Sequence, residues 1–386
     1  MNFDLSPEES GLAERVGALR IGTELPAVDA LENVPDTEIA RAFRAWFARL
    51  GQTGYLAAAV GRDRRKEQVA LRAAQLKLAR TSQTLLYAVE AALRPLACWI
   101  TDLGTEEQRR ELLPDLLAGR WLVSVALAEP RSGSAPSKLS TRIQPAGDGY
   151  LISGEKSTVS LAPFADWLAV FGELDAAPSG GRRAVGLIPR GAPGLSLGPP
   201  IITPGYGALR TSPVTLQEVR LPAGRLLVPT PGCDLTAELH AAQDAAATAA
   251  AAGILRLALE EAQRGAAIVR ADGKPPAAHQ AVRFALAEML AVTQTAELLS
   301  FRAAAAKAKD DPEQAELALC AKVFASEAAG RVTEQALQIL GAAGYRQGHP
   351  AERIARNARL GMIVGHPSEA ARMEIADRVI ARMVRS

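Results

Sequence analysis

A short stretch near the end of the chain, residues 363–369 (IVGHPSE), holds a histidine and a carboxylate between two helix-like patterns. Gly365 and Pro367 interrupt the apolar periodicity of their neighbours, so the stretch is predicted to form a loop. The imidazole of His366 is suited to proton transfer, because the ordinary pKa of histidine is about 6.5. This loop is therefore one place where chemistry is expected.

A second polar group, His240 with Asp244, lies near the start of a long alanine-rich segment. Residues four positions apart on a helix share a face, so the two side chains are expected to lie together. Two interpretations fit this pair. Asp244 compensates the helix dipole as an acid in the first turns, or the pair belongs to a polar cluster at a buried cleft between a helical bundle and a sheet.

Two segments rich in small and polar residues, 127–141 and 338–350, have the composition of cofactor-binding turns. In the second segment, Gly341 and Gly344 are either helix C-cap glycines or positions at which the backbone approaches a phosphate-bearing cofactor. Neither segment contains a Walker or dinucleotide-binding fingerprint. Composition alone leaves both interpretations open.

The elements that must position these groups fall into three parts. Residues 1–120 are predicted to form a helical domain, and residues 121–229, where Gly and Pro become frequent, a small sheet or barrel. Its strands are expected in the segments YLISGEKSTVS, DWLAVFGEL, RRAVGLIPRG and SPVTLQEVRLP. Residues 230–386 are predicted to form a bundle of four long helices, the last beginning near Ser368. The predicted fold class is therefore α+β, mostly α.

Helix boundaries in the first part have local signals. Ser6 is predicted as an N-cap, followed by Pro7 and then by Glu9 in the capping-box position. Thr105 is predicted to start a later helix, and Gly51 to stop an amphipathic helix with the sequence DTEIARAFRAWFARLG.

The composition argues against several classes of function. The 386 residues include 44 basic and 42 acidic side chains and only 4% aromatics, which excludes a nucleic-acid-binding surface. The three cysteines lie far apart, so no metal site or disulfide framework is expected, and a reducing compartment is indicated. The N-terminus lacks a signal-peptide core, and no apolar run reaches the ~18 residues of a membrane span. We therefore expect a cytoplasmic protein without membrane insertion.

Five segments, taken in order, resemble motifs of the acyl-CoA dehydrogenase family of flavoproteins. They are the segment ending in LAEPRSGS, which resembles TEP-x-x-GSD, then GDGYLISGEKSTVS, GKPPAAHQAVRFALAEM, QILGAAGY and RNARLGMIVG. The resemblance runs from about residue 100 to the end of the chain, and the helical region before it has a suitable length.

This resemblance implies a helical N-terminal domain, a middle β domain and a C-terminal four-helix bundle, assembled as a homotetramer or homodimer, or as a heteromer. FAD would bind between the β domain and the bundle, partly across a subunit interface. The implied reaction is α,β-dehydrogenation of an acyl thioester carried by coenzyme A or an acyl-carrier protein. A carboxylate takes the α-proton, the β-hydride goes to the flavin, and a flavoprotein accepts the electrons.

The resemblance also implies cofactor contacts, carried over position by position. The flavin would meet the backbone at Leu127 and Ala128, and the side chains of Ser134 and Ser160, although Ser134 alternatively faces the acyl-pantetheine. The diphosphate and adenosine would meet a second set, partly in a neighbouring subunit: Arg270, Gln280, Gln338 and Gly341. Without a cofactor, Gln280 would only cap a helix and Arg270 would be a solvated charge.

The chain departs from the family pattern most where the base belongs. Val364 occupies the position of the usual glutamate, and Gln243 occupies the alternative position on the first bundle helix; neither side chain is a base. His366 stands where a flavin-contacting threonine is usual. The catalytic candidates are therefore displaced: Asp244 first, His366 second and Glu369 third.

Smaller departures lie around the flavin region. Ala128 replaces a threonine, Thr158 a tryptophan and Asn357 an aspartate. Each lost neutral hydrogen bond costs only about 0.5–1.5 kcal/mol. Four explanations are open: an active dehydrogenase with a displaced base, a base-lacking subunit of a heteromeric enzyme, a different flavin-dependent oxidation on the same fold, and a non-catalytic role.

Overall fold

The computed structural model describes residues 5–22, 24–61, 64–133, 139–175, 182–271 and 273–385. The first third of the chain is helical, as predicted. Its helices are α1 (Pro7–Ala18), α2 (Asp36–Gln52), α3 (Gln68–Thr81), α4 (Gln83–Ala88), α5 (Arg94–Leu103) and α6 (Glu106–Leu117). A π-helical turn, Val89–Leu93, joins α4 to α5.

The predicted caps form where short-range chemistry dictates them. The Ser6 hydroxyl accepts a hydrogen bond from the Glu9 backbone, and the Glu9 carboxylate accepts one from the Ser6 backbone. Thr105 and Gln108 form the same reciprocal pair at the start of α6. The stop predicted at Gly51 is wrong, because α2 continues to Gln52. Gly51 lacks a side chain because the carbonyl of Ala118 lies against it, where a Cβ would be only 2.5 Å from the oxygen.

The middle of the chain forms one mixed sheet of eight strands. The strands are β1 (Val123–Ala126), β2 (Arg142–Ala146), β3 (Gly149–Ser160), β4 (Trp167–Leu174), β5 (Arg182–Pro189), β6 (Leu195–Leu197), β7 (Thr211–Pro222) and β8 (Leu226–Leu227). Their order is β6-β7-β3-β2-β4-β5-β8, with β1 parallel to β4. The prediction found β3, β4, β5 and β7 and missed the other four, of which β6 and β8 are too short to show a period of two.

The last part is a helical bundle. It contains α7 (Leu235–Ala267), α8 (Gln280–Ala308), α9 (Gln314–Leu340) and α11 (Ser368–Arg385), with the shorter α10 (Pro350–Ala358), which was not predicted, between the last two. Small residues let α7 approach its neighbours: Gly253 lies against Ala79 of α3, and Gly265 lies against Leu340 at the end of α9. The predicted fold class, α+β and mostly α, is confirmed.

The three parts meet at α10. The buried Asn357 accepts a hydrogen bond from the Tyr206 backbone (2.8 Å) and donates one to the Gln83 side chain (3.3 Å). Arg356 next to it pairs with Glu32 at 2.8 Å. The amide of Asn357 suits this position, because an aspartate would have no hydrogen for the Gln83 oxygen. The domain boundaries at 120 and 229 remain predictions, although the change from helix to strand falls before Val123 and the return to helix at Leu235.

Within the described ranges, no helix combines the length and the apolar character that a membrane span requires.

Candidate active site

Asp244 and His366, the first two catalytic candidates, are in direct contact. Asp244 is 2% exposed on α7. Its Oδ1 accepts a hydrogen bond from the His366 backbone nitrogen (2.9 Å), and its Oδ2 lies 2.6 Å from His366 Nδ1. Both carboxylate oxygens are therefore engaged by one residue of the loop between α10 and α11.

The interpretation of Asp244 as a helix-dipole partner is wrong. The helix begins at Leu235, and its N-cap is Asp234, whose carboxylate accepts from the backbone of Thr236 and Ala237. Asp244 lies in the third turn, where the dipole effect has faded. The alternative interpretation, a buried polar cluster, fits its surroundings.

The loop is held from two helices. Gly365 has a φ of +67°, and a side chain there would clash with the Asp244 carboxylate, so glycine is required twice over. Lys322 of α9, which is completely buried, donates a hydrogen bond to the His366 carbonyl. Val364 packs against the apolar core and offers no proton acceptor.

His366 is bonded on both sides of its ring. Its Nε2 lies 3.3 Å from the Glu374 carboxylate of α11, opposite the Nδ1 contact with Asp244. The hydrogen bond to Asp244 and the charges of Asp244 and Glu374 raise the pKa of His366, outweighing its partial burial. The two carboxylates on either side of the ring therefore favour its protonated form.

His240 completes this group. Its ring packs edge-on against the His366 ring with 5.3 Å between centroids, and it is 8% exposed. Burial, and then the positive charge of His366, lower the pKa of His240. The two histidines are therefore driven in opposite directions, a pattern typical of acid and base assignments in active sites. We call Asp244, His366, Glu374, His240 and Lys322 the His366 cluster.

Tyr87 of α4 borders the His366 cluster from the N-terminal part of the chain. It is 4% exposed, and its ring packs edge-on against Tyr206 with 5.0 Å between centroids. Among the described residues its hydroxyl has no hydrogen-bond partner. Burial, and then the Asp244 charge, raise the pKa of Tyr87. The sequence analysis missed this residue, because nothing in its local pattern marks it.

The remaining catalytic candidate, Glu369, lies at the edge of this group, where its charge acts on Lys322. Glu369 is an exposed side chain in the first turn of α11. Gln243 is half-buried on α7 beside Asp244. The structure therefore brings Asp244 and His366 together and leaves Glu369 at the surface.

The candidate flavin contacts of the β part lie on strand ends. The Ala128 carbonyl accepts from the Ser157 backbone at 2.9 Å. Ser160 ends β3 with an exposed side chain 3.3 Å from the Thr211 hydroxyl. Ser134 lies outside the described residues.

A buried ion pair that sequence reasoning missed fixes this edge. Lys156 Nζ lies 2.8 Å from Glu129 and 3.1 Å from the Leu127 carbonyl, and both side chains are almost fully buried. Burial would raise the pKa of Glu129, but Lys156 and Thr141 lower it to about 2. Burial lowers the pKa of Lys156 to about 8, so both groups are charged at neutral pH. The sequence does contain a signal for this pair. Lys156 lies four residues after Ile152 on β3, so the two side chains are expected on the same, buried face of the strand.

The second set of cofactor candidates lies at the opposite end of the bundle. Arg270, Gln280, Gln338 and Gly341 are all exposed. Gly341 ends α9 with φ 64° and ψ −142°, a conformation open essentially only to glycine. Gln280 begins α8, whose first turn has no acidic residue and no side-chain cap. Free backbone N–H groups at a long helix's N-terminus suit a diphosphate, so this end fits the FAD dinucleotide.

A single chain does not bring the His366 cluster and the dinucleotide candidates together. Asp244 and Gly265 lie about 30 Å apart along α7, at the helical rise of about 1.5 Å per residue. Gly265 contacts Leu340 at the far end, beside Gly341. The His366 cluster and the dinucleotide candidates are therefore too far apart to contact neighbouring atoms of one cofactor.

Comparison with known proteins follows the same division of the chain. Residues 124–219 match the acyl-CoA dehydrogenase middle domain, and residues 238–380 match the acyl-CoA dehydrogenase C-terminal domain. The short-chain specific acyl-CoA dehydrogenase of Bos taurus is 33% identical over 73% of this chain and 68% of its own length. The benzylmalonyl-CoA dehydrogenase of Aromatoleum aromaticum is 29% identical over 98% of this chain and its full length.

The fold is also similar to that of a solved structure. A glutaryl-coenzyme A dehydrogenase in complex with glutaryl-CoA superposes with a TM-score of 0.88 and 25% identity, covering 99% of this chain and 97% of that one. The sequence matches and the shared fold agree. The chain belongs to the acyl-CoA dehydrogenase family of FAD-dependent oxidoreductases.

Proposed function

We propose that the acyl-CoA oxidised by this dehydrogenase carries a hydrogen-bonding substituent, and that its α-proton is taken by the His366 cluster. The observation that carries the proposal is the buried Tyr87 hydroxyl, which has no hydrogen-bond partner among the described residues and lies within the electrostatic reach of Asp244. A buried polar group without a partner costs about 1–3 kcal/mol. A plain fatty-acyl chain leaves that cost in place, whereas a polar substituent offsets it.

Position 364 supports a displaced base. Val364 cannot accept a proton, yet the loop around it is held in one position by Asp244 and Lys322. FAD, when bound, supplies the hydride acceptor. The chain's own groups must then orient the thioester, exclude water and take the α-proton. Leu127, Ala128 and Ser160 would border the flavin ring, with Arg270, Gln280, Gln338 and Gly341 at the dinucleotide end.

The carrier is proposed to be coenzyme A rather than an acyl-carrier protein. The relatives of Bos taurus and Aromatoleum aromaticum are both named for CoA enzymes. A flavoprotein is proposed as the electron acceptor, in line with the family. The cytoplasmic location stays a prediction.

The test is flavin bleaching by the purified, FAD-loaded protein. Acyl-CoA thioesters of equal length, with and without a hydroxyl, keto or carboxyl substituent, are compared by the rate at which they remove the visible flavin absorbance. We expect the substituted thioesters to bleach faster. Equal or faster bleaching by the unsubstituted chains would overturn the specialised substrate, and no bleaching by any thioester would overturn dehydrogenation itself.

An oligomer is also proposed. Several large apolar side chains are exposed on the bundle, on α8 Phe284, Leu290 and Leu298, and on α11 Met373, Ile380 and Met383. The separation of about 30 Å along α7 between the His366 cluster and the dinucleotide candidates supports sharing of FAD between subunits. Analytical ultracentrifugation of the FAD-loaded protein is expected to find a dimer or tetramer, and a monomer that retains FAD would contradict it.

The base-lacking subunit remains the alternative. It predicts that co-expression with a glutamate-bearing relative gives a mixed oligomer whose activity neither chain has alone. Turnover by this chain in a homo-oligomer would exclude that alternative.

A further inference from the structure

His240 stands out within the His366 cluster. Asp244 is engaged by His366, His366 also contacts Glu374, and Lys322 donates to the His366 carbonyl. Within the described residues the protein forms no hydrogen bond to the ring nitrogens of His240, and the residue as a whole is 8% exposed. Its proton-accepting capacity is therefore unused by the protein itself.

On α7, His240 lies on the same side of the helix as Gln243, the alternative base position considered in the sequence. At about 100° per residue, His240 falls between Gln243 and Asp244 around the axis of α7. It lies one turn earlier, about 4.5 Å along the axis from Gln243. An imidazole here therefore projects from the same helix face as Gln243 and Asp244.

The charges around His240 keep it able to accept a proton. It faces His366 on the loop, Asp244 on its own helix, Asp234 at the helix cap and Arg183 on β5. Burial is the largest influence and His366 the next, and both favour the neutral ring, whose pKa is lowered. The lowered pKa favours the neutral imidazole, which is the form that can accept a proton.

We propose that His240 is the proton acceptor of this enzyme, an assignment that rests on the dehydrogenase function proposed above. One ring nitrogen takes the α-proton, the electron pair of that C–H bond becomes the new Cα=Cβ bond, and the β-hydride leaves to FAD. Asp244 and His366 are then positioning residues. Asp244 holds His366 in the loop, and the His366 ring packs edge-on against the His240 ring and orients it.

The decisive variant is His240→Gln, which removes the base and keeps a polar side chain of similar reach. Single-turnover flavin reduction by the best thioester is expected to fall about 10²–10⁴-fold, with the FAD spectrum unchanged. His240→Gly with added imidazole should recover part of the loss, as a merely structural role would not. The control is His349→Asn, which keeps the N-cap of α10 and should reduce flavin at the wild-type rate.

A second measurement needs no flavin turnover. The chain has only four histidines, so ¹³C-histidine NMR of the flavin-free protein can be assigned by losing one resonance in His240→Gln. The resonance of His240 is expected to titrate below the ordinary histidine range. Titration in or above that range would overturn the proposal.

The outcomes separate the two proposals. If wild-type protein bleaches with a thioester and His240→Gln bleaches equally fast, His240 is not the base and the dehydrogenase function stands. If wild-type protein bleaches with none, the function fails first. A variant that bleaches far more slowly, with imidazole rescue and the lowered titration, supports the assignment.

Discussion

Asp244 binds His366 with both carboxylate oxygens, one on the backbone nitrogen and one on the ring Nδ1, across 122 positions of sequence. The Asp244 carboxylate also lies so close to Gly365 that a side chain at position 365 would clash with it. One buried acid thereby fixes the loop between α10 and α11. Its substitution tests whether that loop geometry matters for chemistry.

Asp244→Asn is expected to slow flavin reduction at least about 10²-fold without changing the flavin spectrum, because the His366 ring loses its anionic partner. Stopped-flow bleaching measures the rate. Reduction at the wild-type rate would show that Asp244 contributes only to structure.

The raised pKa of His366 predicts a pH-dependent stability. A group whose folded pKa exceeds the unfolded value, here about 6.5, stabilises the fold fully below that value. The contribution is lost as the pH rises through the folded pKa. Asp244, Glu374 and Lys322 face the ring and set that pKa.

Urea unfolding of wild type and His366→Gln across this pH range measures the effect. We expect the difference in unfolding free energy to be largest at low pH and to shrink as the pH rises above the ordinary histidine pKa. A difference that is constant or grows with pH would contradict the charged state of His366.

Lys156→Met is expected to destabilise the protein by about 3–5 kcal/mol, because it leaves the buried Glu129 carboxylate without its cation. The double variant with Glu129→Gln should recover a substantial part of that loss. Urea unfolding gives both values, and FAD retention reports the loss of the Leu127 carbonyl contact. Equal stability of single variant and wild type would refute the pairing.

Gly365→Ala is expected to cost at least about 1 kcal/mol, from the positive φ and the clash with Asp244. Gly224→Ala is the matched control, since a Cβ there meets no atom within 4 Å and its φ is not positive. Thermal unfolding compares the two. Similar small effects at both positions would mean that the loop is not held as described.

Tyr87→Phe should leave stability unchanged or slightly raise it, because the deleted hydroxyl has no partner. The KM for a substituted thioester should rise about tenfold, equivalent to about 1.4 kcal/mol, while that of an unsubstituted one stays the same. Tyr55→Phe is the contrast, since it removes a 2.7 Å bond to the buried Glu90 and should destabilise. A KM that is unaffected for every thioester would exclude Tyr87 from the site.

Local sequence patterns were sufficient to predict most of the fold. The capping residues Ser6 and Thr105 act on backbone groups three residues away, and helical or alternating periodicity marks the long elements, so the sequence is enough. The five ordered motifs indicated the family and FAD. Short strands such as β6 and β8 escaped, because two or three residues show no period.

The site was decided by contacts between distant segments. The sequence determined that Val364 and Gln243 are not bases and made Asp244 and His366 candidates. Only tertiary structure bonded those two residues, packed the His240 ring against His366 and shifted the pKa values of the two histidines in opposite directions. It also left the nearby Tyr87 hydroxyl without a hydrogen-bond partner among the described residues. Burial and neighbouring charge set those properties, and both depend on which distant residues come together.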